Sequence, residues 1–183
     1  GNSGDASNWD WEFETYFTSD GTGYTTQSYE TWAYNPGLNA ISVLIDLDNQ
    51  LASLQRFGFS NLYGIEIQRE CVDEAKKLWK GIDIIKASGF DIPFRDNFFD
   101  LVFTNNVLIH ISPNDIQIVL SEMNRVSSKY IYGFEYYSEK YESVEYRNNA
   151  DLLWKTDFSN LFLKKFPNLK SIFSKKYSCL NFK

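Results

Sequence analysis

Residues 61–137 open with NLYGIEI (61–67), pass through ASGFDIPF (87–94) and DNFFDLVFTNNVLIHISP (96–113), and close with RVSSKYIYGFEYY (125–137). Short apolar runs in this stretch alternate with segments of helical spacing. Leu62 to Ile67 predicts a strand, and Val72, Ala75, Leu78 and Trp79 then give a helix one apolar face. Ile82 to Ile85 predicts the next strand, followed by a loop carrying Gly89 and Pro93. Phe99 to Thr104 is almost wholly apolar, as expected of a strand covered on both faces. A helix is expected from Ser112-Pro113, where serine can cap and proline suits the first turn, with Ile116, Val119, Leu120 and Met123 as its buried stripe. Lys129 to Phe134 predicts a further strand.

The flanks extend the same alternation. Ile41 to Leu47 predicts a buried strand, and Leu51, Leu54 and Phe57 recur at helical spacing before Gly58. Downstream, residues 157–166 read as a helix closed by Pro167, followed by two short strands pairing antiparallel at the sheet edge. The fold class is therefore α/β, with a mostly parallel open sheet, an antiparallel C-terminal edge, and ligands bound beyond the strand C-termini. Residues 1–40 differ in kind. Gly21, Gly23 and Asn35-Pro36-Gly37 are turn signals among many aromatics, which suggests an irregular, aromatic-rich arm covering the core or its pocket. The expected division is an arm at 1–40 and one α/β domain at 41–183.

Composition narrows the functional classes. The 183 residues suit one domain, and 43% hydrophobic with 17% aromatic residues provides ample material for a core. A net charge of -6 disfavours nucleic acid, whose phosphates need a basic face. Cys71 and Cys179 form neither a disulfide framework nor, with the single histidine, a metal-ligand cluster. No apolar run is long enough to cross a bilayer and no signal pattern opens the chain, so a soluble cytoplasmic protein with no membrane partner and a small-molecule substrate is expected. Charge is unevenly spread. No Lys or Arg precedes Arg56, whereas Lys155, Lys164, Lys165, Lys170, Lys175, Lys176 and Lys183 follow with Asp157 as the only acid among them. Two solvated faces explain this, as would a basic end facing an anionic substrate.

Two features point to a nucleotide-cofactor site. Glu66 ends its strand about twenty residues after the preceding strand, where a carboxylate can accept both hydroxyls of a ribose. The ASGFDIPF loop follows the next strand and places backbone, a hydroxyl and an aromatic ring at the same sheet edge. Each alone is compatible with a solvated acid or a simple packing turn.

In their order and spacing, LYGIEI, ASGFDIPF, NFFDLVFTNNVLIHISPNDI and RVSSKYIYGFEYY resemble a class I S-adenosylmethionine-dependent methyltransferase. They are most similar to the small bacterial methylases associated with pseudaminic acid and related surface-sugar biosynthesis. The resemblance runs from about Val43 through YRNNADLLWKTDFSNLFLKKFPNLK (146–170) to the C-terminus. It implies a Rossmann-like three-layer sandwich, S-adenosylmethionine as cofactor, and a sugar or nucleotide-sugar as acceptor. It also implies that Glu66 holds the ribose, that Ile67 lies against the adenine, that Ser88, Gly89 and Phe90 border the base, and that Asn105 and Asn106 line the methyl-transfer end. Ser88 stands where many such enzymes carry an aspartate.

The larger departure lies in ISVLIDLDNQLASLQ (41–55), which occupies the place of a glycine-rich cofactor loop and contains no glycine. Glycines there permit close backbone approach to the cofactor. Asp46-Leu47-Asp48 replaces them, and the two aspartates, Asp46 and Asp48, could pair with the cofactor's amino group or sulfonium. The alternative reading is a non-catalytic binding or assembly module with a degenerate loop. His110 is the only histidine and could act as a general base, or be a hydrogen-bonded structural residue. Tyr146 and Arg147 could contact an anionic sugar acid or lie at the surface. Tyr136 and Lys140 have short-chain dehydrogenase spacing without the glycine-rich turn that chemistry needs. Asp46 to Asn49 begins like a calcium loop, but Leu51 stands where that loop requires glycine.

Overall fold

The computed structural model describes residues 10–14, 41–44, 50–146 and 149–178. Five strands form the parallel part of the sheet: β2 (Ile41–Leu44), β3 (Leu62–Glu66), β4 (Asp83–Lys86), β5 (Phe99–Asn105) and β6 (Ser127–Tyr136). Two further strands, β1 (Asp10–Glu14) and β9 (Ser174–Ser178), complete the order β4-β3-β2-β5-β6-β1-β9. The chain moves outward from β2 through β3 to β4, then returns to β5 on the other side of β2. The order thus reverses between β2 and β5, and in such sheets the C-terminal ends of the strands at the reversal frame a ligand crevice.

The antiparallel edge exists with different members from those expected. Asp10–Glu14, inside the segment read as an irregular arm, pairs antiparallel with β6 from Trp11↔Tyr136 to Glu14↔Gly133. β9 pairs antiparallel with β1, so the edge pair draws one strand from each end of the described chain. A pairing across so great a sequence separation leaves no local periodicity to read. A separate two-stranded ladder joins β7 (Glu142–Ser143) to β8 (Trp154–Lys155).

Two apolar clusters cover opposite faces of the sheet, as alternating strand residues require. One joins Leu62, Ile84, Leu101 and Phe103 to Leu51 of α1 (Gln50–Arg56) and to Val72 and Ala75 of α2 (Arg69–Leu78). The other joins Ile65, Val102 and Ile131 to α3 (Ile116–Val126) and α4 (Phe158–Lys165). Phe99 packs in the second cluster although it lies three residues from Val102. A register shift between Phe99 and Leu101 reverses the alternation there.

The helices match their sequence stripes with three corrections. α3 buries Ile116, Val119, Leu120, Met123 and Val126, but it starts at Ile116, not at Ser112-Pro113. The Ser112 hydroxyl donates to Asp115 Oδ2 at 2.7 Å, while its carbonyl accepts the Asp115 and Ile116 N–H groups, so residues 112–115 form a turn leading into the helix. Leu78 is not on the buried face of α2: it is 62% exposed at the last helical position, and the extended backbone at Trp79 returns that larger ring to the core. Phe57 is likewise exposed, because α1 ends before it and Gly58 closes the helix at φ +94°, a left-handed conformation suited to glycine.

Asp157 caps α4, with Oδ1 accepting the Asn160 N–H at 2.7 Å. Asp157→Ala is expected to destabilise the protein by about 1 kcal/mol, the usual effect of removing such a cap. Urea unfolding measures this directly, and an unchanged midpoint would show that the cap contributes nothing.

Candidate functional site

The parallel strands end at one edge, and they bring most of the sequence-predicted residues there. Register pairs Leu44 with Ile65 and with Thr104, and Glu66 with Lys86. Glu66 is half-buried. Its Oε1 accepts the Gln68 N–H at 2.7 Å, which aims the carboxylate across the start of α2 and leaves Oε2 unpaired among the described residues. Ile67 lies just beyond the strand and is 63% exposed.

The Ala87 N–H bonds the Glu66 carbonyl, so the next turn begins beside that carboxylate. Ser88 Oγ accepts the Phe90 N–H at 3.2 Å and the Ser88 carbonyl accepts the Asp91 N–H at 3.1 Å, which closes a tight turn around Gly89. Phe90 is left 40% exposed. Two exposed apolar side chains, Ile67 and Phe90, thus flank the Glu66 end of adjacent strands.

On the other side of β2, Asn105 is buried at the end of β5 and its Oδ1 accepts from Asn106 Nδ2 at 3.2 Å. Asn106 turns the chain in a left-handed conformation, φ 55°, which asparagine tolerates better than most residues. Its backbone N–H bonds the Phe134 carbonyl, and its Oδ1 is buried with no partner among the described residues. An unpaired buried acceptor is costly, and at a strand end it suits a cationic or N–H donor from a ligand.

The chain then enters a 3₁₀ turn, Leu108–His110. His110 is exposed, and its Nδ1 lies 3.0 Å from the Leu152 carbonyl. A carbonyl only accepts, so this contact places a proton on Nδ1 and, in the neutral ring, leaves Nε2 as a lone-pair acceptor. Tyr146 lies alongside, with ring centroids 5.8 Å apart, and its backbone exchanges two bonds with Asn149. Sequence-distant His110 and Tyr146 are therefore brought together. Asp46, Asp48 and Arg147 lie outside the described residues.

Two features escaped the sequence reading. Glu135, near the end of β6, is 4% exposed, and its two carboxylate oxygens accept the Val107 and Ile109 N–H groups, each at 3.3 Å. Burial pushes its pKa up from 4.5 to about 7; the neighbouring Thr104 hydroxyl and the Leu108, Ile109 and Val107 N–H groups oppose that shift. Among the described residues the Thr104 oxygen itself completes no well-formed hydrogen bond.

The second feature is a clamp on α3. Arg125 Nε and Nη2 donate to Glu122 Oε1 and Oε2 at 2.7 and 2.6 Å, while Nη1 donates to the Phe94 carbonyl and to Asp96. Nη2 also donates to the Ile92 carbonyl, and Glu122 Oε2 accepts the Ile92 N–H. Hydrogen bonding to Arg125 holds the Glu122 carboxyl below its ordinary pKa. Its i,i+3 spacing is the only sequence signal, and surface ion pairs share it.

The mainly parallel sheet thus carries, beside its reversal, an acidic strand end flanked by two exposed apolar side chains. Residues 47–130 match the family model described as a methyltransferase domain. Among solved structures, a SAM-dependent methyltransferase from Aquifex aeolicus aligns at 20% identity and TM-score 0.53, covering 70% of this chain and 71% of that one. An S-adenosylmethionine-dependent methyltransferase from Mesorhizobium loti aligns at 12% identity and TM-score 0.50, covering 70% and 62%. The chain spans about half of the PH0226 protein from Pyrococcus horikoshii, with 52% of this chain and 48% of that one aligned at 20% identity and TM-score 0.47. No curated protein matches the chain. Among the described residues, no helix is long and apolar enough to cross a membrane.

Proposed function

We propose that this chain binds S-adenosylmethionine at the C-terminal edge of β2, β3, β4 and β5 and directs its methyl group to a small polar acceptor. The observation that carries the reading is Glu66, held by the Gln68 N–H, with Oε2 unpaired among the described residues beside the reversal crevice. The donor set suits the cofactor: Glu66 Oε2 offers an acceptor to ribose hydroxyls, and the unpaired Asn106 Oδ1 offers one to the methionine ammonium. Ile67 and Phe90 would cover the adenine faces, with Ser88 and Gly89 at its edge. Asn105 would hold Asn106 in place, and Asp46 would complete the amino-acid end.

When bound, S-adenosylmethionine supplies an electrophilic methyl group on a sulfonium. The protein's share is orientation, and removal of one proton from the acceptor's hydroxyl or amine. His110 Nε2 would take that proton, since the Leu152 carbonyl occupies Nδ1. Tyr146 and Arg147 would border the acceptor. Resemblance to methylases of surface-sugar biosynthesis favours a sugar or nucleotide-sugar, and the free Cys71 thiol is compatible with a reducing cytoplasmic setting. In this reading the two faces of the sheet are the inner surfaces of a three-layer sandwich.

Titration calorimetry with S-adenosylmethionine tests the reading. Saturable one-to-one binding is expected, with His110→Gln leaving the affinity within about twofold because that ring serves the acceptor side. Absence of binding by folded protein would sink the enzyme reading and favour a non-catalytic module, the role suggested by the glycine-free stretch at 41–55.

A further inference from the structure

Residues 92–98, directly after the Ser88–Asp91 turn, form neither helix nor strand. Their apolar side chains are secured by packing: Ile92 is buried, and Phe94 and Phe98 interlock with Tyr63 and Phe99 at centroid distances of 4.7 to 5.7 Å. Ring packing is non-directional, and the loop backbone has its own directional fixings. Arg125 places two donors on Glu122, two on the Ile92 and Phe94 carbonyls, and one on Asp96, which accounts for all five N–H groups of a guanidinium. The Arg125 carbonyl accepts the Asn97 N–H at 2.8 Å, where Asn97 bends the chain at φ 54°. Together with the Glu122 bond to the Ile92 N–H, three points of the loop backbone are pinned to one helical turn.

We infer that Arg125, oriented by Glu122, is a positioning residue for the cofactor's base-side turn, acting through residues 92–97 without touching the cofactor. This rests on the S-adenosylmethionine reading above. A clamp serving stability alone could grip any part of the molecule. This one grips only residues 92–97, which lead directly out of the turn, and all but its Asp96 contact hold their backbone. A planar fork is needed for that pattern, and a lysine ammonium cannot reproduce it.

Arg125→Lys keeps the charge and most of the stem. In this variant the amides of Ile92 and Asn97 are expected to exchange with solvent about tenfold faster, while those of Leu120 and Met123 in the same helix keep their rates. Calorimetric affinity for S-adenosylmethionine is expected to fall about tenfold, the equivalent of one or two net hydrogen bonds. Should Arg125→Lys fail to fold, Asp96→Ala removes one exposed partner and is expected to weaken binding about threefold with an unchanged melting temperature. Accelerated exchange at Ile92 and Asn97 with unchanged affinity overturns the positioning role, as does equal acceleration throughout α3. Wild-type protein that binds no S-adenosylmethionine overturns the cofactor reading and the positioning role with it, an outcome visible before any variant is made.

Discussion

Glu66→Ala is expected to weaken S-adenosylmethionine binding about 100-fold, because hydrogen bonds to a charged acceptor are each worth about 1.5–3 kcal/mol and every 1.4 kcal/mol is tenfold. The carboxylate is already oriented before any ligand arrives: Gln68 donates to Oε1 at 2.7 Å. Little ordering entropy is then lost when Oε2 accepts hydroxyls, which is why the loss should lie near the upper end of that range. Stability should change far less, by about 0.5–1 kcal/mol, since the half-buried side chain makes one local hydrogen bond and packs in neither apolar cluster. Calorimetry on the alanine variant, beside a melting curve, separates the two effects. Glu66→Gln sharpens the test, because it keeps one acceptor oxygen and loses the charge, so its affinity should fall between those of wild type and alanine. Affinity unchanged in both variants would remove Glu66 from the site and leave the strand-end argument without its main support.

How much of this was legible in the chain follows from how local each signal is. FDLVFTN reads as a doubly covered strand because almost every side chain is apolar, and β5 indeed packs on both clusters. Glu66 was legible because a charged residue interrupts LYGIEI where the strand must end. Glu135 was not, because in YIYGFEYY a glutamate among rings reads as an outward position, and only the neighbouring 3₁₀ turn, 26 residues earlier at Ile109, makes it an inward one. The same limit applies to Arg125, whose loop partners lie 29 to 33 residues away. Asp10–Glu14 is the extreme case, since its ladder partners begin at Gly133. The meeting of His110 with Tyr146 also depends on a fold-level contact, the approach of the Leu152 carbonyl to the imidazole. Local patterns therefore located the strand ends, and tertiary contacts decided what surrounds them.

Glu135 gives the largest expected effect of pH on stability. Among the described residues no cation pairs with its buried carboxyl, and burial raises its folded pKa from 4.5 to about 7. Between those values the folded state retains a proton that the unfolded state has released. Stability from this group is therefore complete below about pH 4.5 and declines as pH rises through 7, with no further change from this group above that. A span of 2.5 pH units, 7 minus 4.5, at about 1.4 kcal/mol per unit amounts to roughly 3 kcal/mol. Glu135→Gln removes the titration while keeping the shape. One amide oxygen can still accept from Val107 or Ile109, but the amide nitrogen faces the other N–H, so the variant should lose about 1–3 kcal/mol at pH 4.5. The difference between the wild-type and variant unfolding free energies isolates this residue from every other carboxyl in the chain. That difference is expected to move by about 3 kcal/mol between pH 4.5 and 8 as the wild type comes to bear a buried charge, which brings the variant level with the wild type or above it. Urea unfolding at half-unit intervals would trace it. Parallel curves would mean that the carboxyl is ionised or neutral in both states throughout, and the burial argument would fail. Curves that meet or cross would establish that the turn carrying His110 is held by a group which changes charge near neutral pH, with the ionised form presenting two acceptors to Val107 and Ile109 and the protonated form offering its hydroxyl to Thr104.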